Sequence, residues 1–132
     1  MTLDGLRATP GILRSLVAIG RPEQLVWKPT RERWSICEIL NHLTDVEKLN
    51  VGLRVRRMLE ENLPSFEDYD PAVRFEQGRG RHPEVGEITI RQVLSLWSFH
   101  DLSHIRQISE ILKAVCFWDD IGSLQKYYAI NP

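Results

Sequence analysis

The sequence holds only two cysteines, Cys37 and Cys116, and neither belongs to a Cys-x-x-Cys pair. That excludes a disulfide framework and leaves two packed thiols in a reducing compartment, the cytoplasm, as the expectation. No apolar run approaches the roughly 20 residues that span a bilayer, so no membrane partner is expected. Met1 to Thr9 lacks the apolar core and small-residue cleavage site of a secretory leader. A surplus of one charge is also missing. The net charge of −1 offers none of the basic excess that a nucleic-acid-binding face carries, and the local cluster Arg54, Arg56 and Arg57 reads as a solvated helix face. Repeats and low-complexity tracts are absent. At 132 residues the chain forms one domain, residues 1–132, with a single core of moderate size.

What is present is helical patterning. Thr9-Pro10 reads as the start of a first helix, with threonine as cap and proline at its first position. Ile12, Leu13, Leu16, Val17 and Ile19 are its apolar residues, and Gly20 is expected to stop it. Arg21 to Arg33, with two prolines, reads as an irregular connection. Ser35-Ile36-Cys37-Glu38 is a capping box in which serine and glutamate satisfy free backbone N–H groups reciprocally, with Trp34 and Ile39 placed as a hydrophobic staple. The helix it opens runs to about Glu61, roughly 40 Å. Thr89-Ile90-Arg91-Gln92 repeats the device and opens a helix to about Val115, followed by a helical turn from Trp118. Between the two long helices, Asn62 to Ile88 reads as a long structureless connection rich in proline and glycine. Glu87 to Ile90 is too short to count as a strand, and the fold class is all-α.

Four histidines punctuate this pattern, and three of them converge. At about 100° per residue, Ile90, Val93, Leu94, Trp97, Ile105, Ile108, Ile111, Leu112 and Val115 form one stripe. His104 falls within it and His100 at its edge, so the two imidazoles, four residues apart, stack on one face. On the preceding long helix, Ile36, Ile39, Leu40, Leu43, Val46 and Asn50 define the buried face, with His42 on its flank. If the helices run antiparallel, His42 meets His100 and His104 at one level. Three neutral imidazoles without a fourth protein ligand form the pattern of a metal site that keeps a position open. The His-x-x-x-His pair alone is a weak signal, because most such pairs are structural; the third histidine adds to it. Imidazole suits several divalent ions, zinc and nickel among them, and the sequence does not choose. His82, in the proline- and glycine-rich stretch, reads as a surface residue.

Three acidic residues are candidates to orient these ligands. Asp101 follows His100, and a ligating imidazole needs an acceptor on its other nitrogen; an ordinary polar role between helices fits Asp101 equally. His-Asp-x-x-His is not the zincin motif, because the general-base glutamate is absent. Glu47 lies near the middle of the apolar stripe, where an unpaired charge is costly, so it is expected to pair inside the bundle, with Arg54, or to face a cavity near the metal. Asp45 stands one turn from His42. Cys37, on a different face, reads as a packed thiol.

Trp34-Ser-Ile-Cys-Glu-Ile-Leu-Asn-His42-Leu-Thr-Asp-Val-Glu47 resembles the signature of the DinB-like superfamily of metal-dependent helical-bundle proteins. So do Tyr69-Asp70-Pro71, the run His82 to Thr89, His100-Asp-Leu-Ser-His104-Ile-Arg-Gln-Ile108 and the ending Tyr127 to Pro132. The resemblance covers nearly the whole chain. It implies an up-down-down-up four-helix bundle and a metal held by His42, His100 and His104. It also implies kinship with thiol-dependent transferases and isomerases that use bacillithiol or mycothiol. In the family a further long helix separates the Tyr-Asp-Pro and His-Pro-x-x-Gly elements. Here only Ala72 to Arg81 lies between them, so the third bundle helix is missing or is supplied by a partner chain.

Phe99 and Leu102 point away from the main stripe and Leu96 lies off its centre, which predicts a homodimer filling the vacancy. The expected function is a metal-dependent enzyme, a thiol-dependent transferase with a small-molecule thiol cosubstrate or a hydrolase of a small molecule. The alternative is a non-catalytic, metal-binding or structural dimeric module. No residue beside the histidines stands out as a nucleophile.

Overall fold

A computed structural model of the chain describes residues 2–61, 79–82, 84 and 86–132. The described residues are mostly helical: α1 Thr2–Val17, a short α2 Pro22–Leu25, α3 Ile36–Asp45, α4 Val51–Glu60 and α5 Ile90–Leu112. A π-helical turn, Val46–Asn50, joins α3 to α4, another, Lys113–Phe117, extends α5, and a 3-10 turn, Gly122–Tyr127, follows.

Both capping boxes form. Ser35 Oγ accepts from the Glu38 amide while the Glu38 carboxylate accepts from the Ser35 amide at 2.7 Å. Thr89 and Gln92 make the equivalent pair at the start of α5. Each box satisfies two amides that a helix leaves without partners, and so fixes where the two site-bearing helices begin.

The core follows the apolar stripes. Ile36, Ile39 and Leu43 of α3 bury against Ile108, Ile111 and Leu112 of α5, with Leu13, Leu16 and Val17 of α1 packed onto the cluster. A second cluster joins Ile90 and Val93, at the start of α5, to Val51 and Val55 of α4. The start of α3 therefore meets the end of α5 and α4 meets its beginning: the two long helical stretches are antiparallel. Fully burying an aliphatic side chain stabilises by about 1.5–3 kcal/mol, so the four fully buried isoleucines, Ile36, Ile39, Ile108 and Ile111, anchor the pairing at the end that carries the histidines.

Two expectations need correction. The first helix does not begin at Thr9: it begins by Thr2, with Pro10 inside. The extra turns pack on α5, where a Cβ on Gly5 would lie 3.5 Å from Ser98 Oγ, and this tertiary support outweighs the amide that Pro10 lacks. The helix ends at Val17, just before Gly20, as expected. The end tapers through the bonds Ile19 to Leu16 and Gly20 to Val17, and a side chain at Gly20 would crowd Leu25 at 3.0 Å and Leu112 at 3.3 Å. The connection expected to be structureless closes with an antiparallel hairpin, β1 Arg79–His82 on β2 Gly86–Thr89, with Arg79 opposite Thr89 and His82 opposite Gly86. Strands of four residues are too short to show an alternating pattern, so the pairing was not visible in sequence. The Tyr69-Asp70-Pro71 element and the rest of the stretch from Asn62 to Gly78 lie outside the described residues, as do Pro83, Val85 and the side chain of His82.

The π turn after α3 carries a further correction. A π turn inserts one extra residue, so the 100° count slips beyond Val46. Glu47, placed by that count in the apolar stripe, is exposed instead, as is Leu49. No helix among the described residues is long and apolar enough to cross a membrane.

Candidate metal centre

His42 projects from α3, and His100 and His104 project from α5 on the same face. Antiparallel packing brings them to one level: the ring centroids are 5.2 Å apart for His42–His100, 4.9 Å for His42–His104 and 4.5 Å for His100–His104. One ring nitrogen from each lies within 4.8 Å of the other two. His42 Nε2 and His100 Nε2 are separated by 3.2 Å. Two nitrogens bound at 2.0–2.1 Å in a tetrahedral shell stand about 3.3–3.4 Å apart, so this pair already has the spacing of adjacent ligands. The three residues could together hold a metal ion.

The electrostatics favour the ligating form. Burial holds the pKa of His42 below the ordinary histidine value, and the neighbouring His104 lowers it further, while the Asp45 charge works the other way. Burial also lowers His100, helped by His104 and His42 and opposed by Asp101. A metal binds neutral imidazole, so groups that resist protonation are poised to receive one. His100 Nδ1 is buried without a hydrogen-bond partner, the one such side-chain atom found among the described residues. A ligating imidazole ordinarily donates from that second nitrogen.

The three acidic candidates separate. Asp101 is buried, and its nearer oxygen lies 3.8 Å from His100 Nδ1, beside the ring but beyond hydrogen-bond reach. Burial raises its pKa above the usual carboxylate range; the Thr9 hydroxyl of α1 and His100 restrain the rise, and the Glu47 charge adds to it. Asp45 is exposed at the end of α3 and reaches the site only through its charge on His42. Glu47, exposed as described, acts at a distance on Asp101. Cys37 and Cys116 are half-buried free thiols, and Cys116 Sγ faces Gln24 at 3.6 Å. Arg57 is paired with Glu61 through two bonds of 2.7 and 2.9 Å.

Two further residues, Trp34 and Gln107, neighbour the site. The Trp34 ring, expected in a staple with Ile39, lies 4.8 Å from His42 and stacks within 19° of parallel on His104, at 6.2 Å. Gln107 places Oε1 3.0 Å from His104 Nδ1. The available signal was spacing: Gln107 is three residues beyond His104, on the same helix face.

A scan against protein-family models and a search of curated proteins returned no match to this chain. The class that fold and site define is therefore a mostly helical protein with a three-histidine cluster of metal-binding dimensions.

Proposed function

We propose that the chain is a metal-dependent enzyme of the DinB-like type, with His42, His100 and His104 as ligands and zinc or nickel as the resident ion. The observation that carries this reading is the 3.2 Å approach of two ring nitrogens from different helices, with a third imidazole completing the cluster. The sequence motifs around the histidines support the family assignment. Gly5 near the start of α1 lies beside Ser98, and Gly20 just past its end lies beside Leu112, so α1 runs parallel to α5. With α3 antiparallel to α5, this is the order that the first, second and last helices of an up-down-down-up bundle would have. In this reading the third bundle helix is missing from the chain or comes from a partner.

Three neutral imidazoles contribute no charge, so a bound divalent ion would act as a Lewis acid for an anionic nucleophile at the open position. We assign that role to a small-molecule thiol cosubstrate in its thiolate form, or to water, attacking a small electrophile. The protein's own contribution is to hold His42 and His100 neutral by burial, to support His100 through Asp101, and to shelter His42 and His104 beneath Trp34. Asp101 is the principal positioning candidate. Glu47 and Asp45 act only through their charge. Two unbridged thiols and an intact histidine site suit a cytoplasmic location.

The working unit in this account is a homodimer. Leu96, Phe99 and Leu102 recur at three-residue spacing on α5 and are 57%, 71% and 60% exposed, an apolar strip of the kind that marks an association face.

The test is incubation of zinc- or nickel-loaded protein with a panel of low-molecular-weight thiols and a reactive small electrophile. Metal-dependent consumption of thiol, abolished by His104→Ala, supports the transferase; metal-dependent hydrolysis without thiol supports the hydrolase. Stoichiometric metal with neither activity favours the non-catalytic dimeric module.

A further inference from the structure

Gln107 lies one turn beyond His104 on α5, and its side chain reaches back to the imidazole, with Oε1 3.0 Å from Nδ1. An amide oxygen only accepts, so Nδ1 must bear the proton; a neutral imidazole carries one N–H, so Nε2 is then left with its lone pair. We propose that Gln107 is a positioning residue that locks His104 in the Nδ1–H form and reserves Nε2 for an ion. This rests on the metal-site reading given above.

The chemistry of the acceptor matters. A carboxylate at this place would hold the same tautomer, but its charge would also favour the imidazolium, the form that cannot ligate. A neutral amide fixes the ring without inviting the second proton. His104 thereby differs from His100, whose Nδ1 has no hydrogen-bond partner. It differs too from the facing Nε2 atoms of His42 and His100, 3.2 Å apart. That distance is a hydrogen bond only if one of those two nitrogens carries a proton, which an ion must displace. His104 is thus the ligand whose lone pair is prepared before any ion arrives. Gln107 is half-buried, and partial burial narrows its rotamer choice and so reduces the entropy lost in holding the ring.

The test uses the full chain, first metal-free and then with zinc. Nitrogen-15 NMR of the imidazoles, at a pH where they are neutral, reads the tautomer directly. Wild type is expected to show His104 protonated on Nδ1. Gln107→Leu, which keeps bulk and removes the acceptor, is expected to shift His104 toward the Nε2–H form and to weaken zinc binding about 10–100-fold. Gln107→Glu is expected to retain the Nδ1–H tautomer, which a merely space-filling role would not require. Finding His104 in the Nε2–H form in wild type overturns the inference, because Gln107 would then be donating. So does an unchanged tautomer in Gln107→Leu whose amide spectrum shows the native fold. If wild type binds no zinc, the metal-site reading fails, while the tautomer measurement still decides the role of Gln107.

Discussion

The Nε2 atoms of His42 and His100 face each other at 3.2 Å across two antiparallel helices, α3 and α5. Two ring nitrogens at that distance share a proton in a hydrogen bond or share an ion. The isoleucine cluster holds the two helices in this register, Ile36 and Ile39 within two turns of His42 on α3 and Ile108 and Ile111 about two to three turns beyond His100 on α5. The site is thus a consequence of core packing. Ile108→Ala is expected to cost about 2–5 kcal/mol of folding stability, measured by urea unfolding, because the site it empties is fully buried.

Acid should destabilise the metal-free protein in a defined window. His42 and His100 have folded-state pKa values below the ordinary histidine value of about 6.5. The unfolded chain therefore binds protons first as pH falls. Their contribution is fully present above 6.5 and is lost as pH falls through the folded values. Asp101 acts with the opposite sign in a lower window: its raised pKa favours the folded state below about 3.9 and that contribution is lost as pH rises through its folded value. Urea midpoints measured with chelator across this range should rise from acid toward neutrality. The double variant His42→Gln, His100→Gln should flatten the rise just below 6.5; an unchanged slope would remove the two histidines as its source.

Much of this was legible because it is local. The capping boxes at Ser35 and Thr89 depend on residues three apart, and both formed as read. The histidines needed only helical spacing and an antiparallel partner. The failures share a cause, since each depended on something beyond the local chain. The N-terminal turns of α1 exist through contact with α5, the hairpin through pairing of two four-residue strands, and the exposure of Glu47 through one extra residue in the π turn. The orientation of the Trp34 ring follows from its rotamer, which spacing does not give; for Gln107 spacing gives the shared helix face with His104 but not the reach of the amide.

Gly52 should tolerate no side chain. A Cβ there would collide with the Glu47 carbonyl oxygen of the π turn and meet the Trp97 ring at 3.2 Å. Gly52→Ala is expected to destabilise by about 1–3 kcal/mol, as overpacking does, where an exposed helical position would gain from alanine. A rise in the urea midpoint would show that the π turn is not the native geometry.

Loss of a cap should be milder. Ser35→Ala removes the acceptor for the Glu38 amide and is expected to cost about 1 kcal/mol. Because Ser35 is buried while Thr89 is only half-buried, the loss at Ser35 should be the larger of the two. Equal urea midpoints for Ser35→Ala and Thr89→Ala would contradict this.

The apolar strip on α5 gives a direct test of assembly. Phe99→Glu places a charge at its centre and is expected to convert a dimer to a monomer in sedimentation velocity at micromolar concentration, without lowering helical content. A wild type that sediments as a folded monomer would end the dimer proposal.

The central claim is that His42, His100 and His104 form one metal site, and equilibrium dialysis of metal-free protein against zinc or nickel, with the ion counted by mass spectrometry, tests it most directly. The account predicts one tightly held ion per chain in wild type and none in the single variants His42→Ala, His100→Ala and His104→Ala under conditions where circular dichroism shows them folded. A folded wild type that retains no stoichiometric ion, or a His42→Ala variant that binds as tightly as wild type, would contradict it.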